Sequence, residues 1–240
     1  MSAHNIIIGV VIIILLYLLY LYFFSNSSAV LVGIHDTSTE IAIPAGSIAP
    51  AAGSANFTFS IWVYVSNWSV GTNKVIFERP CGTGFCPKMA FTSNLNNIDV
   101  TLATYAGTSG SAQHHHQQEQ ANITCTVENV PLQSWANIIM TLNGRALDLY
   151  LDGKLVRTCV LPGVPKMSGA GQLMLTPSGK SFQGYTSNFQ YFARAINPRE
   201  AYAIYREGYG GSNWLSGLFN KYRIKLAFME DNQEVNSFEI

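Results

Sequence analysis

The sequence predicts an all-β fold, an antiparallel β-sandwich or jelly roll with one or two short helices, preceded by a single transmembrane α-helix. Three observations predict it. Residues Ile6 to Phe24 form an unbroken apolar run of nineteen residues with no charge and no proline. Behind it, roughly a dozen short segments alternate apolar and polar side chains with a period of two, punctuated by Gly, Pro, Asn and Asp, as strands joined by turns do. A late segment at Asn197-Pro198 carries the capping signals of a helix.

At ~1.5 Å rise per residue the apolar run spans about 28 Å as a helix, close to the hydrocarbon thickness of a bilayer. Its Ile, Val, Leu and Phe residues each favour insertion by roughly 0.3–0.6 kcal/mol at the helix centre. Tyr17, Tyr20, Tyr22, Phe23 and Phe24 crowd its C-terminal end, where an aromatic belt meets the headgroups. The competing reading is a cleaved secretory signal, whose apolar core is about 7–15 residues long behind a basic start. This run is longer, and no Lys or Arg precedes it, although Ser27-Ser28-Ala29 would serve as a cleavage context. The reading adopted is a retained anchor with a cytosolic amino terminus and the large domain across the membrane. The domain plan is therefore residues 1–25 as anchor, 26–54 as a connector with the first strand, and 55–240 as the sandwich with a C-terminal strand extension.

The first extended segment runs near Val30 to Pro44 and leads into an Ala/Gly/Pro-rich connection. In Phe57 to Val65, the residues Phe57, Phe59, Ile61, Val63 and Val65 alternate with Thr58, Ser60, Trp62 and Tyr64, which predicts a strand with one face in the core. Further strands are expected near 74–79, 88–92, 98–104, 122–127 and 136–142. Leu147, Leu149 and Leu151 alternate with Asp148 and Tyr150 before Asp152-Gly153. Asp-Gly between strands signals a hairpin, because primed turns need positive φ at their central positions. Strands continue through 172–176 and 182–195. A helix follows from Asn197 to about Glu207, with Pro198 at its first position and Gly208 after its end. A second short helix is expected over 214–220, then strands near 222–228 and 235–240.

Lys and Arg number 14, Asp and Glu 14, and charged residues are only 12% of the chain, half the usual share. No basic cluster exists to neutralise phosphates, which excludes nucleic acid as a partner. The four cysteines are Cys81, Cys86, Cys125 and Cys159. Cys81 and Cys86 would close a local loop, while Cys125 and Cys159 lie in separate expected strands. An even count fits two disulfides in an oxidising compartment, with free thiols as the alternative. Zinc would require close ligand pairs, which this spacing supplies poorly. His114, His115 and His116 sit in a Gly/Ser/Gln-rich stretch that reads as a polar loop before it reads as a metal site. Asn26, Asn56, Asn67 and Asn122 begin glycosylation sequons, which permit but do not require glycans.

The segments FTFSIWVYV (57–65), WANIIMTLNGRALDLYLDGKLV (135–156) and GQLMLTPSGKSFQGYTSNFQYFARAINPREAYAIY (171–205), followed by Gly208, resemble the concanavalin A-like lectin/glucanase superfamily in its laminin-G-like and pentraxin-like branch. The resemblance implies a two-layered jelly roll. Glucanase members carry an E-x-D-x-x-E strand whose carboxylates hydrolyse glycosidic bonds. This chain has no such strand, and Glu230, Asp231 and Glu234 fall in an expected turn, so no catalytic residue is nominated and the chain is read as a non-enzyme. Calcium is implied only by the family. Asp99, Asp148 and Asp152 are scattered along the sequence, and no metal site is nominated. Trp62 and Tyr64, turned away from the apolar face of their strand, are the candidate glycan- or partner-contact residues, the alternative being that another strand layer, the tail or a partner covers this face. An N-terminal anchor together with a tail such as NKYRIKLAFMEDNQEV also resembles virion proteins of large nucleocytoplasmic DNA viruses. The expected role is a minor structural protein linking membrane and capsid, in the virion membrane or capsid layer. Its expected partners are the lipid bilayer and other capsid or envelope proteins. A membrane-anchored lectin-like adhesin with glycan partners is the alternative.

Overall fold

The computed structural model describes residues 12–17, 29–51, 54–105, 120–167, 171–210, 225–230 and 233–239. Of the apolar run only 12–17 are described; they are helical and exposed on every side. Among the described residues no helix is long and apolar enough to cross a membrane. Tyr20, Tyr22, Phe23 and Phe24 lie outside them, as do His114–His116 and the helix expected over 214–220.

Two antiparallel sheets face each other. The first runs in the order β1 (Ala29–Val32), β13 (Gln183–Phe192), β4 (Phe57–Asn67), β9 (Trp135–Asn143), β10 (Ala146–Leu151), β11 (Lys154–Val160), with β2 (His35–Asp36) also pairing β13. The second runs β3 (Ile41–Ile43), β12 (Leu173–Leu175), β5 (Lys74–Cys81), β6 (Gly84–Phe91), β7 (Ile98–Tyr105), β8 (Gln120–Val127). Sequence neighbours pair where tight turns permit it. Asp152 (φ 49°) and Gly153 (φ 73°) turn β10 into β11, as a primed hairpin turn requires.

The core lies between the inner faces. Phe59 sits at its centre, with ring centroids 5.5 Å from Phe57, 5.4 Å from Phe77, 5.7 Å from Phe189 and 5.0 Å from Tyr191. The expected one-sided burial of β4 is corrected here: Thr58, Ser60 and Trp62 on its outer face are buried as well. The reason is the helix α1 (Pro198–Glu207). It packs Ala201 and Ile204 against Ile139, Tyr150, Phe192 and Ile196, forming a second, smaller core on the outside of the first sheet. Its start is a full capping box: the Asn197 side chain accepts from the Glu200 amide at 3.0 Å, and the Glu200 carboxylate accepts from the Asn197 amide at 2.8 Å. Asn197→Ala is therefore expected to cost about 1 kcal/mol, read as a lowered thermal midpoint of the full chain.

Within the segment expected as a connector with the first strand, β1 and β2 pair in one sheet and β3 in the other. The extended segment expected near Val30 to Pro44 divides into three short strands, each placed by the sheet edge it completes. Among the described residues, the C-terminal strands β14 (Lys225–Glu230) and β15 (Gln233–Glu239) pair with each other in a two-stranded sheet.

Candidate functional site

Trp62 is not an open platform. It is only 5% exposed, stacked at 5.6 Å and 19° on Tyr205 of α1 and met edge-on by Tyr209 at 6.2 Å. The sequence leaves open what covers this face, because the covering groups lie more than a hundred residues downstream. The cover is anchored by a bulge in β13, where register shifts between Ser187 and Gln190 and Asn188 takes a positive φ of 46°. Asn tolerates that conformation better than most residues. The bulge aims Ser187 Oγ at the Tyr209 carbonyl (2.5 Å) and Asn188 Nδ2 at the Gly208 carbonyl (3.4 Å), which fixes the exit of the helix. Near it, burial raises the pKa of the Glu207 carboxyl and a hydrogen bond from Gln190 opposes the shift.

Tyr64 lies just beyond the cover and remains half-buried. Register places it between Trp135 of β9 and Tyr185 of β13, so three aromatic side chains stand in a row across three adjacent strands. Tyr64 is 5.6 Å from Trp135 at an interplanar angle of 50°, and 6.4 Å from Tyr185 at 47°. Tyr209 stacks on Trp135 at 4.7 Å and 6°. Tyr185 and Tyr209 are exposed. Of this cluster only Tyr64 and Trp62 were nominated from sequence; finding the others requires the pairing of β13, β4 and β9.

The outer face of the second sheet carries a polar groove of about 330 Å³, lined by Lys88, Ala90, Thr92, Ser93, Asp99 and Thr101 among others. Its floor is set by cross-strand register, Lys88 opposite Thr101 and Ala90 opposite Asp99. Asp99 accepts the Thr126 hydroxyl at 2.6 Å, and the Thr101 and Thr124 hydroxyls are 3.2 Å apart. Lys88 reaches Glu78 at 3.9 Å and lies 4.7 Å over the Phe85 ring, while Lys180 meets Glu78 at 3.3 Å. One end of the groove is closed by Lys74, which is 1% exposed. Its ammonium donates to the carbonyls of Thr72, Thr92 and Ser93 and sits 4.3 Å over Trp68. Burial lowers its pKa.

The remaining candidates are dispersed. Asp148 accepts the Thr158 hydroxyl at 2.6 Å, and Asp152 accepts the Asn137 backbone amide at 2.9 Å. Neither joins Asp99, and among the described residues no three His, Cys, Asp or Glu side chains converge. Cys81 is bonded to Cys86, and Cys125 to Cys159. The second bridge joins β8 to β11, the neighbouring edge strands of the two sheets.

The laminin-G-type family model, described as the concanavalin A-like lectin/glucanases superfamily, matches residues 35–201. No curated protein sequence matches the chain. Among solved structures it is similar to a tryptophan-to-alanine mutant of HCR/D, at 10% identity and a TM-score of 0.53, covering 72% of this chain and 42% of that one. It is also similar to the botulinum neurotoxin serotype G binding domain (14% identity, TM-score 0.47, 72% and 46% covered). A third is the binding domain of botulinum neurotoxin DC, solved in complex with rat synaptotagmin II (15%, 0.43, 63% and 35%). The chain spans less than half the length of each of these neighbours.

Proposed function

Because the chain belongs to the concanavalin A-like lectin/glucanase superfamily as a laminin-G-like domain, we propose that it is a non-catalytic, single-pass membrane protein presenting this sandwich for contacts with other proteins. The observation that carries the reading is the uncharged run Ile6 to Phe24, followed within five residues by the first strand of the sandwich. So short a connection holds the domain against the bilayer. Two disulfides suit a domain on the oxidising side of that membrane. The carboxylates of Asp99, Asp148 and Asp152 are each engaged by a hydroxyl or a backbone amide, and Glu78 by two lysines. That is the arrangement of structural acids rather than of a hydrolytic pair. The setting we propose is the virion of a large DNA virus, with this chain as a minor structural component between membrane and capsid.

Alkaline extraction of membranes bearing the full chain tests the anchor. The chain is expected to stay with the lipid, and its release as a soluble polypeptide starting near Val30 would overturn the reading. Quantitative mass spectrometry of purified particles tests the setting, which predicts a fixed copy number relative to the capsid protein.

A second reading, a membrane-anchored glycan-binding protein, is favoured by the polar groove. Lys88 and the Ser93 hydroxyl line it with donors, Asp99 keeps a second carboxylate oxygen beside the one that Thr126 engages, and Ala90 leaves room for a ring. This reading expects saturable binding on a glycan array that Asp99→Asn reduces about tenfold.

A further inference from the structure

We infer that Asn122, on the outer face of β8, is an N-glycosylation site whose side-chain amide takes an oligosaccharide from a polyprenyl-diphosphate donor. The inference rests on the reading that the domain lies on the oxidising side of the membrane, and it adds the position that is modified there.

Four asparagines begin N-x-S/T sequons, and the fold treats them differently. Asn26 lies outside the described residues. Asn56 is half-buried and holds a turn in place: its side-chain oxygen accepts the Gly144 amide at 2.8 Å, and its Nδ2 donates to Asn143 Oδ1 at 3.4 Å. The hydroxyl of that sequon, on Thr58, is buried between Thr141 Oγ1 at 2.7 Å and the Arg194 carbonyl at 2.9 Å. Asn67 is exposed, but its Nδ2 donates to Gln183 Oε1 at 2.9 Å across the pair β4–β13, and the Ser69 and Thr72 hydroxyls are 2.8 Å apart.

Asn122 differs in each respect. It stands on the end strand of the second sheet. Register sets Ile123, Cys125 and Val127 opposite Leu102, Val100 and Ile98, and these six pack in the core between the sheets. Side chains two apart on a strand share a face, so Asn122 and Thr124 turn outward together, and both are exposed. Among the described residues no hydrogen bond engages the Asn122 amide. Thr124 keeps its hydroxyl at the surface, 3.2 Å from that of Thr101. Cys125, the next residue, is bonded to Cys159, so the strand that bears the sequon is itself oxidised, as in the secretory compartments where disulfides persist.

In the transfer, Asn122 Nδ2 bonds to the anomeric carbon of the donor sugar and gives up one proton. The bond from that carbon to the diphosphate oxygen breaks, and the polyprenyl diphosphate leaves; nothing is oxidised or reduced. Where transfer precedes strand pairing, folding decides which position can bear the sugar. At Asn122 the sugar stays in water, whereas at Asn56 it would crowd the turn between β9 and β10. An exposed edge strand invites pairing with another chain, and a bulky, hydrated group on β8 hinders it.

The test is translation of the full chain with microsomal membranes, followed by peptide-N-glycosidase digestion, gel mobility and peptide mapping. A glycosidase-sensitive mobility step is expected, with Asp in place of Asn122 in the digested peptide. Asn122→Gln and Thr124→Ala are expected to abolish the step; Thr124→Ser, Asn56→Gln and Asn67→Gln are expected to keep it. The readout is a mass, so a variant that folds poorly still reports. Protease added outside the membranes separates the site from the reading beneath it. A protected domain with no sugar at Asn122, or with the step unchanged in Asn122→Gln, overturns the site and leaves the placement of the domain standing. A domain digested from outside overturns both.

Discussion

Gly184→Ala is expected to destabilise the sandwich by about 4 kcal/mol or more, a range reached only through a specific structural defect. Gly184 has a φ of +155°, and a Cβ built there would lie 1.9 Å from the Tyr64 carbonyl oxygen and 3.1 Å from the Val65 Cα. Both contacts are backbone, so no rotamer change relieves them. The pair β13–β4 would have to separate at the centre of the first sheet. The same glycine donates its amide to Thr37 Oγ1 at 3.0 Å and accepts the Thr37 amide at 3.1 Å, linking β13 to the chain just after β2. Separation would therefore loosen two attachments together. Overpacking usually costs about 1–3 kcal/mol when neighbours can adjust; here the backbone conformation adds to it. A loss of this size is a large part of a total stability of about 5–15 kcal/mol. Urea unfolding of the full chain in detergent, followed by near-UV circular dichroism, checks it. A variant with an unchanged midpoint would show that the β13–β4 register is wrong. Because Tyr185 follows directly, a folded but shifted variant should also lose the aromatic row.

Removing the Cys125–Cys159 bridge by double alanine substitution is expected to cost roughly 4 kcal/mol, from the chain entropy released when a loop with a separation of 34 is opened. The same estimate gives roughly 2 kcal/mol for the Cys81–Cys86 bridge, with a separation of 5. Position strengthens the contrast. The long-range bridge joins the two edge strands at one open side of the sandwich, whereas the short one closes the connection between adjacent strands β5 and β6. Parallel denaturation curves of the two double variants decide the matter. A larger loss at Cys81–Cys86 would contradict the assignment of β8 and β11 as neighbouring edges.

Much of this architecture is legible without coordinates because the signals are local. Alternation at Phe57 to Val65 marks which residues enter the core. Asp152-Gly153 marks a hairpin through the conformation glycine and aspartate permit. Asn197, Pro198 and Glu200 mark a helix start through the backbone groups they satisfy. The candidate surfaces are less legible. Trp62 and Tyr64 belong to one outward face by sequence, yet one is sealed beneath α1 and the other stands free enough to join Trp135 and Tyr185. No property of β4 distinguishes them.

The chain alone thus determined the strand-and-turn grammar, the apolar leading run, the capped helix and the shortage of charge, all of which follow from conformational preference and solvent transfer over a few residues. Only the tertiary structure decided which strands are neighbours, what covers Trp62, which cysteines meet and where a polar groove opens. Those outcomes depend on pairing energies between segments far apart in the chain, where register and the placement of one helix select among faces that local chemistry leaves equivalent.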